Sequence, residues 1–314
     1  MSAVKRAILI AAGRGKRLGP HTEAIPKGMV PVGEHPIIGW QWRALASAGI
    51  EELVVIRGYH ADVMTEFISH RLGPEMERTS ERSERGPEME RTSERSERGP
   101  EMERTSERSE RGPQATPPRM LQFFDNHEWA TNNVLLSLAC ARDALDTATL
   151  ILYSDIIFTP AVAQAAVASP HDIGLVIDRD FRSIYEGRTE HPLDEGEVSD
   201  LFDDGRVRRV GKRALTPADA IGEFIGLVKL SAPGALALRA RIDQRMREYA
   251  GRDHEPYQRA ATFRNGYLTD VLQDLIDDGI AIHPVLIDGQ WREIDTPQDL
   301  ERAGQLVSSG KEWL

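Results

Sequence analysis

The apolar and polar positions near the N-terminus switch between two periods. RAILIAAG is an unbroken apolar run of strand length that opens into a glycine-rich loop. HPIIGWQWRALASAG then spaces its large side chains as a helix does, with Ile37, Ile38, Trp42, Leu45 and Ala46 on one face and Gly49 as the stop. ELVVIRG reads as a second buried strand, and ADVMTEFISHRL carries Val63, Met64, Phe67 and Ile68 at helical spacing. This alternation predicts an α/β protein, a mostly parallel sheet with helices on its faces.

The pattern then breaks. Residues 73–85, 86–98 and 99–111 are three identical copies of GPEMERTSERSER, each with four Glu, three Arg and one Met as its sizeable apolar side chain. Such a segment buries too little surface to offset its ordering entropy, so it is expected to be a disordered expansion of one surface loop and not a domain. The chain, 1–314, is expected to form a single domain that carries this insert.

After ATPPR the alternation resumes. MLQFF is a strand, NNVLLSLACARDAL a helix beginning near Asn132, TLILYSDIIF one central strand ending near Asp155, and IGLVID another strand. Residues 179–222 form a polar insert with a hairpin around FDDGRVRRVG. EFIGLVKLS follows as a strand, then helices GALALRARIDQRMREYA and YLTDVLQDLIDDG, a strand through WREID, and a helix TPQDLERAGQLV. Thr296 can cap that last helix, with Pro297 first inside it and Asp299 as box partner.

Composition narrows the function. The net charge of −11 argues against broad nucleic-acid binding, and no apolar run approaches the roughly 20 residues that span a bilayer. A single cysteine, Cys140, excludes an internal disulfide framework and fits a reducing cytoplasm. Yet Lys5, Arg6, Arg14, Lys16, Arg17 and Lys27 cluster against Glu23 alone, which suggests a local anion site.

The loop IAAGRGKRLGPHT sits in that basic stretch, and three phosphate-loop types compete for it. The dinucleotide fingerprint needs a third glycine where Leu18 stands, and an acid closing the second strand where Arg57 and Gly58 stand. A Walker loop needs glycine at Ile10 and Ser or Thr at Arg17. What remains is Ala11, Ala12, Gly13, Arg14, Gly15, Lys16, Arg17, Leu18, Gly19, Pro20, His21, Thr22, with Pro26 and Lys27 beyond. This resembles the signature of the nucleotidyltransferase superfamily that makes NDP-sugars and CDP-activated small molecules. The resemblance implies a Rossmann-like three-layer α/β/α fold with a mostly parallel mixed sheet.

Its chemistry suits these residues. Successive N–H groups of the glycine loop cradle phosphate oxygens, Arg17 neutralises a departing pyrophosphate with help from Lys16, and Lys27 bridges acceptor and α-phosphate. The family's metal acids match Asp155 in LILYSDIIF and Asp295 in WREIDTPQDL, which implies Mg²⁺. As alternatives, Asp155 reads as a turn residue and Asp295 as part of a helix start, while Glu293 is expected to point the other way and to be a weaker ligand.

ATNNVLLSL, YSDIIF, YEGRTEHP and WREIDTPQDL are more similar to the cytidylyltransferases of phosphocholine and of phosphonate biosynthesis than to the sugar branch. That resemblance implies CTP as donor and an aminoethylphosphonate- or phosphocholine-like acceptor. It puts Asn132 and Asn133 near the nucleotide, although a helix cap explains Asn132 equally well. It puts Tyr185, Arg188, Thr189 and His191 in an insert closing over the acceptor, with Arg188 or Lys212 gripping a phosphonate and Glu223 facing an amine or merely starting a strand. The competing readings are a sugar-1-phosphate nucleotidyltransferase using UTP or GTP, and a catalytically silent subunit of the same fold. A homodimer is compatible with each.

Overall fold

The computed structural model describes residues 3–71, 116–310 and Trp313. The elements run β1 (Arg6–Ala11), β2 (Pro31–Val32), β3 (His35–Pro36), α1 (Ile37–Ser47), β4 (Glu52–Arg57), α2 (Ala61–Arg71) and β5 (Met120–Asp125). Then come α3 (Val134–Cys140), β6 (Thr149–Tyr153), β7 (Ile156–Phe158), α4 (Pro160–Ala168), β8 (Ile173–Asp178) and α5 (Phe181–Tyr185). The C-terminal part holds β9 (Glu197–Leu201), β10 (Val207–Lys212), β11 (Gly222–Leu230), α6 (Ala232–Glu248), α7 (Leu268–Asp277), β12 (His283–Ile287), β13 (Trp291–Glu293) and α8 (Pro297–Ser309). The repeat at 73–111 lies outside the described residues.

A nine-stranded sheet runs β10-β9-β11-β6-β1-β4-β5, with β8 and β12 continuing from β11. β5, β4, β1 and β6 are mutually parallel, and β8, β9 and β12 share their direction across the antiparallel β11, leaving only β11 and β10 opposed. The sheet is thus mixed and mostly parallel, with an apolar layer on each face. Leu9, Leu53, Val55 and Leu152 pack with α1 on one side; Ile8, Val54, Ile151 and Val228 pack with α3 and α7 on the other. Alternating residues of buried strands serve opposite layers, which is why these strands read as unbroken apolar runs.

Three features set the site. TLILYSDIIF is not one strand: β6 stops at Tyr153, a turn takes Ser154 and Asp155, and β7 leaves the main sheet to pair with β13. Gln41 of α1 clamps that turn, its Nε2 donating to the carbonyls of Tyr153 (2.7 Å) and Ile156 (2.8 Å). The sheet also divides beside it. Leu227–Leu230 of β11 pair with β6, whereas Gly222 and Glu223 pair with β9. Gly226 sits between at φ +82°, where a Cβ would lie 2.4 Å from the Tyr153 ring. A crevice at the carboxyl ends of parallel strands, where the pairing changes partner, is where α/β proteins bind ligands.

Candidate active site

A cavity of about 320 Å³ opens at that crevice. The glycine loop forms one wall. β1 hands over at Ala12, and Leu18 is fully buried against Val30, Ile37, Trp40, Ile157 and Ile294, which anchors the loop's far side. The loop is closed by Leu18 N–H to Gly15 O (3.1 Å) and Thr22 Oγ1 to Gly15 O (3.1 Å). Gly15 adopts φ +69°, and a Cβ there would lie 2.9 Å from Cδ of Lys27. That glycine therefore makes room for a lysine stem, whereas Gly13 has open space where its Cβ would be.

Lys27 follows Pro26 on a short 3-10 turn and is buried. Its ammonium donates to Asp155 Oδ2 (2.9 Å) and to Asp295 Oδ1. Burial disfavours that ammonium, but the two carboxylates outweigh it and raise its pKa. Asp295 accepts also from Arg17 Nη2 and lies 3.2 Å from His191 Nδ1. Burial works against its charge too, yet Lys27, His191 and Arg17 together hold its carboxyl well below the usual range. The two aspartates come from different elements and are held opposite each other by backbone. Ile294 N–H donates to Asp155 O at 2.8 Å, where β13 lies beside β7. Asp155 Oδ1 is buried with no partner among the described residues.

Asp295 precedes α8, whose Thr296–Asp299 capping box is present as expected. Asp299 Oδ2 accepts the N–H groups of Asp295 (3.1 Å) and Thr296 (3.0 Å), fixing the chain on which Asp295 sits. Glu293 does not point away. Residues two apart in extended chain share a face, and both Glu293 and Asp295 line the cavity. Burial, and then Asp295, push the Glu293 carboxyl upward.

Several expected ligand contacts fall elsewhere. Arg188 is buried with its fork filled, Nε to Asp299 Oδ1 (2.7 Å) and Nη2 to Asp299 Oδ2 and Glu293 Oε2 (both 2.9 Å). It does not line the cavity, so it has no free fork for a phosphonate. His191 lies behind Asp295, 3.1 Å from Arg188 Nη2. Thr189 is exposed and takes Gln298 Oε1 on its N–H. Ala11 is buried in the core, Lys16 is exposed, and Arg14 lies 5.4 Å over the Tyr59 ring; none of the three is on the cavity wall.

Asn132 and Asn133 do line the cavity, and neither side chain caps α3. Asn132 pairs with the Asn126 amide (2.7 and 3.1 Å), and Asn133 Nδ2 donates to Asn265 O (3.0 Å). Lys212 is on the wall, 5.1 Å over the Tyr267 ring. So is Glu223, held by the Tyr185 hydroxyl at 2.7 Å and pushed up to about 8 by burial and by Glu293. Sequence reasoning missed Glu197. It takes Thr269 Oγ1 (2.8 Å) and the Tyr153 hydroxyl (3.1 Å), and burial pushes it up to about 7. Nothing in the hairpin's polar run separates it from the acids around it; its burial comes from the place of β9 between β10 and β11 in the sheet.

Asp155 and Asp295, with Glu293 beside them, could offer carboxylate oxygens to a metal, a donor set that suits a hard cation. The unpartnered Asp155 Oδ1 and an ammonium shared between two aspartates both mark a place that calls for positive charge. Among the described residues, ligand atoms of His191, Glu293 and Asp295 also lie within 4.8 Å of one another.

Residues 6–88 match the family model described as Nucleotidyl transferase. The chain is 26% identical over 301 residues to the CTP:phosphoglutamine cytidylyltransferase of Campylobacter jejuni, spanning 94% of this chain and 97% of that one. It is 24% identical over 201 residues, 64% of its length, to 25% of the CMP-5'-(3-aminopropyl)phosphonate synthase of Streptomyces rubellomurinus. In fold it is similar to the CTP:phosphocholine cytidylyltransferase of Streptococcus pneumoniae (TM-score 0.58, 19% identity, 98% and 100% of the two chains). It is also similar to the inositol-1-phosphate CTP transferase of T. maritima (TM-score 0.64, 16% identity, 98% of each chain). Among the described residues no helix is long and apolar enough to cross a membrane.

Proposed function

We infer that this chain, a nucleotidyltransferase, uses CTP, transferring CMP to a small phosphonate or phosphomonoester and releasing pyrophosphate. The observation that carries the reading is the convergence of Arg17, Lys27, Asp155 and Asp295 on one cavity beneath the glycine loop. The relatives named above support CTP as donor and a phosphorylated small molecule as acceptor.

An acceptor oxygen attacks the α-phosphorus, a new P–O bond forms, and the bond to the β-phosphate breaks. Phosphate and phosphonate oxygens are anionic at neutral pH, so no general base is needed. What the transfer requires is positioning and neutralisation of two polyanions. Lys27 is buried, cationic and part of the cavity wall, so it orients the attacking group and screens its charge. Arg17 stands half-exposed at the rim and steadies the departing pyrophosphate. Asp155 and Asp295 would hold Mg²⁺, which supplies the further positive charge that the phosphates need. Asn132 and Asn133, on the same cavity wall, are the residues we assign to the nucleoside.

The test is a matrix of four NTPs against phosphocholine, aminoethylphosphonate, related phosphonates and sugar-1-phosphates, with Mg²⁺, scored by pyrophosphate release. CTP is expected to lead with a phosphonate or phosphomonoester. Preference for UTP or GTP with a sugar phosphate overturns the reading, and so does binding without turnover on any acceptor.

A further inference from the structure

Gln41 sits in α1 between the buried Trp40 and Trp42 and is itself 1% exposed. It does not line the cavity. Its Nε2 gives one N–H to Tyr153 O (2.7 Å) and the other to Ile156 O (2.8 Å), the carbonyls on either side of the Ser154–Asp155 turn. The opposite orientation of the amide would set Oε1 against those two carbonyls, so the acceptors dictate which end faces them. Oε1 is buried with no hydrogen-bond partner among the described residues. An apolar side chain would fill this place without leaving a buried acceptor open. A glutamine here is therefore explained by its two donors, and the donors by the turn.

Ser154 and Asp155 lie between β6 and β7, outside both strands, so their direction depends on what holds the turn from its sides. Asp155 O accepts Ile294 N–H at 2.8 Å, which makes the chain leading to Asp295 rest on the same turn. One helical turn before Gln41, Ile37 N–H donates to Val30 O (3.1 Å), and Val30 N–H donates to Lys27 O (3.0 Å). The helix α1 thus holds the Lys27 segment at its first residue and the Asp155 turn at its fifth. The outcome inside the cavity is the 2.9 Å contact of Lys27 Nζ with Asp155 Oδ2, with Oδ1 left open.

We propose that Gln41, from outside the cavity, is a positioning residue for nucleotidyl transfer. It sets the direction of the Asp155 carboxylate, and with it the place where Asp155 meets Lys27 and offers Oδ1 to a divalent cation. This rests on the nucleotidyl-transfer reading and adds to it the residue that aligns one of its acids. Outer contacts that orient a ligating carboxylate are worth about 10–100-fold in metal affinity or rate. Misplacing a reacting group by about 1 Å costs on the order of 100-fold.

Two substitutions test it. Gln41→Met keeps the length and removes both donors; Gln41→Glu keeps the shape and, as the neutral acid that burial favours, one donor. Pyrophosphate release with CTP, Mg²⁺ and the best acceptor of the matrix should show kcat lower by about 10–100-fold in Gln41→Met, with KM for CTP within about 3-fold. Gln41→Glu should lie between Gln41→Met and the wild type. In an Asp155→Asn background Gln41→Met should change kcat by less than about 2-fold, because residues that act through one another do not add. Mn²⁺ titration followed by electron paramagnetic resonance, without nucleotide or acceptor, reads the carboxylate apart from turnover. Its affinity should fall about 10-fold in Gln41→Met and no further in the double variant. Thermal melts with and without CTP report that each variant folds. A folded Gln41→Met with a lower Tm but wild-type kcat and Mn²⁺ affinity overturns the proposal, and so does an undiminished loss in the Asp155→Asn background. If Gln41→Met does not fold, Gln41→Glu carries the same comparison. Absence of pyrophosphate release by the wild type with every NTP defeats the nucleotidyl reading, and the Mn²⁺ comparison decides separately whether Gln41 orients Asp155.

Discussion

Lys27 joins two carboxylates that differ in how much the fold depends on them. The Asp295 side chain is 6% exposed and takes Lys27, Arg17 and His191, whereas that of Asp155 is 25% exposed and, among the described residues, takes Lys27 alone. Removing one partner of a buried ion pair costs about 3–5 kcal/mol because the other is stranded. Asp295→Asn should therefore lower unfolding stability strongly in urea titration, while Asp155→Asn should lower it by about 1 kcal/mol or less. Both should reduce pyrophosphate release on the order of 100-fold or more. Undiminished release by folded Asp155→Asn would remove it from the site. Glu223 gives the opposite sign in pH. Its folded pKa, about 8, lies above the ordinary carboxyl value of 4.5, so the folded state favours the neutral acid. The associated stability is intact below 4.5 and is lost as pH rises towards 8. Glu223→Gln should accordingly raise Tm by about 2–6 °C at pH 8.5 and by almost nothing at pH 4.5. A difference that grows on acidification would contradict that environment.

At the scale of elements, what was legible followed from period and punctuation. The α1 stripe, the Gly49 and Gly279 stops and the Thr296 box all act within a few residues of themselves, so sequence exposes them. The split of TLILYSDIIF was not legible, because both halves are buried and the break is imposed by β13 arriving from far along the chain. α4 escaped because Val162, Ala163 and Ala166 make too small a stripe to stand out. The same distance hid what Arg188 and Glu293 do: their mutual contact joins α5's connection to β13 across a long separation in sequence. Asp299 combines both kinds of role, since it closes a local box and also holds Arg188. Thr296→Ala removes only the cap and should cost about 1 kcal/mol. Asp299→Ala also takes both Asp299 contacts from the buried Arg188 guanidinium, leaving it Glu293, and should cost about 3 kcal/mol by denaturant titration. Equal losses would mean that the Arg188 contact contributes nothing.

For the whole molecule, the question is whether the cavity needs the three-copy segment at 73–111. β4, α2 and β5 form a parallel crossover, with Glu52 to Arg57 in register against Met120 to Asp125. In such a unit the helix returns the chain to the end of the sheet where the next strand begins, and connections of about 2–6 residues suffice. Leu72 and residues 112–119 exceed that length without the copies. The residues lining the cavity come from before α2 and from Trp129 onward. Excising whole copies therefore shortens a connection and leaves every named site residue, and the β4–β5 register, in place. Deletion of 73–111 should keep kcat/KM within about 2–3-fold of the full chain, since loop-closure entropy changes only slowly with length. The pyrophosphate-release assay used for the acceptor matrix measures this directly. A large fall in kcat with CTP stabilisation intact would assign the segment a part in turnover that the α/β frame does not supply.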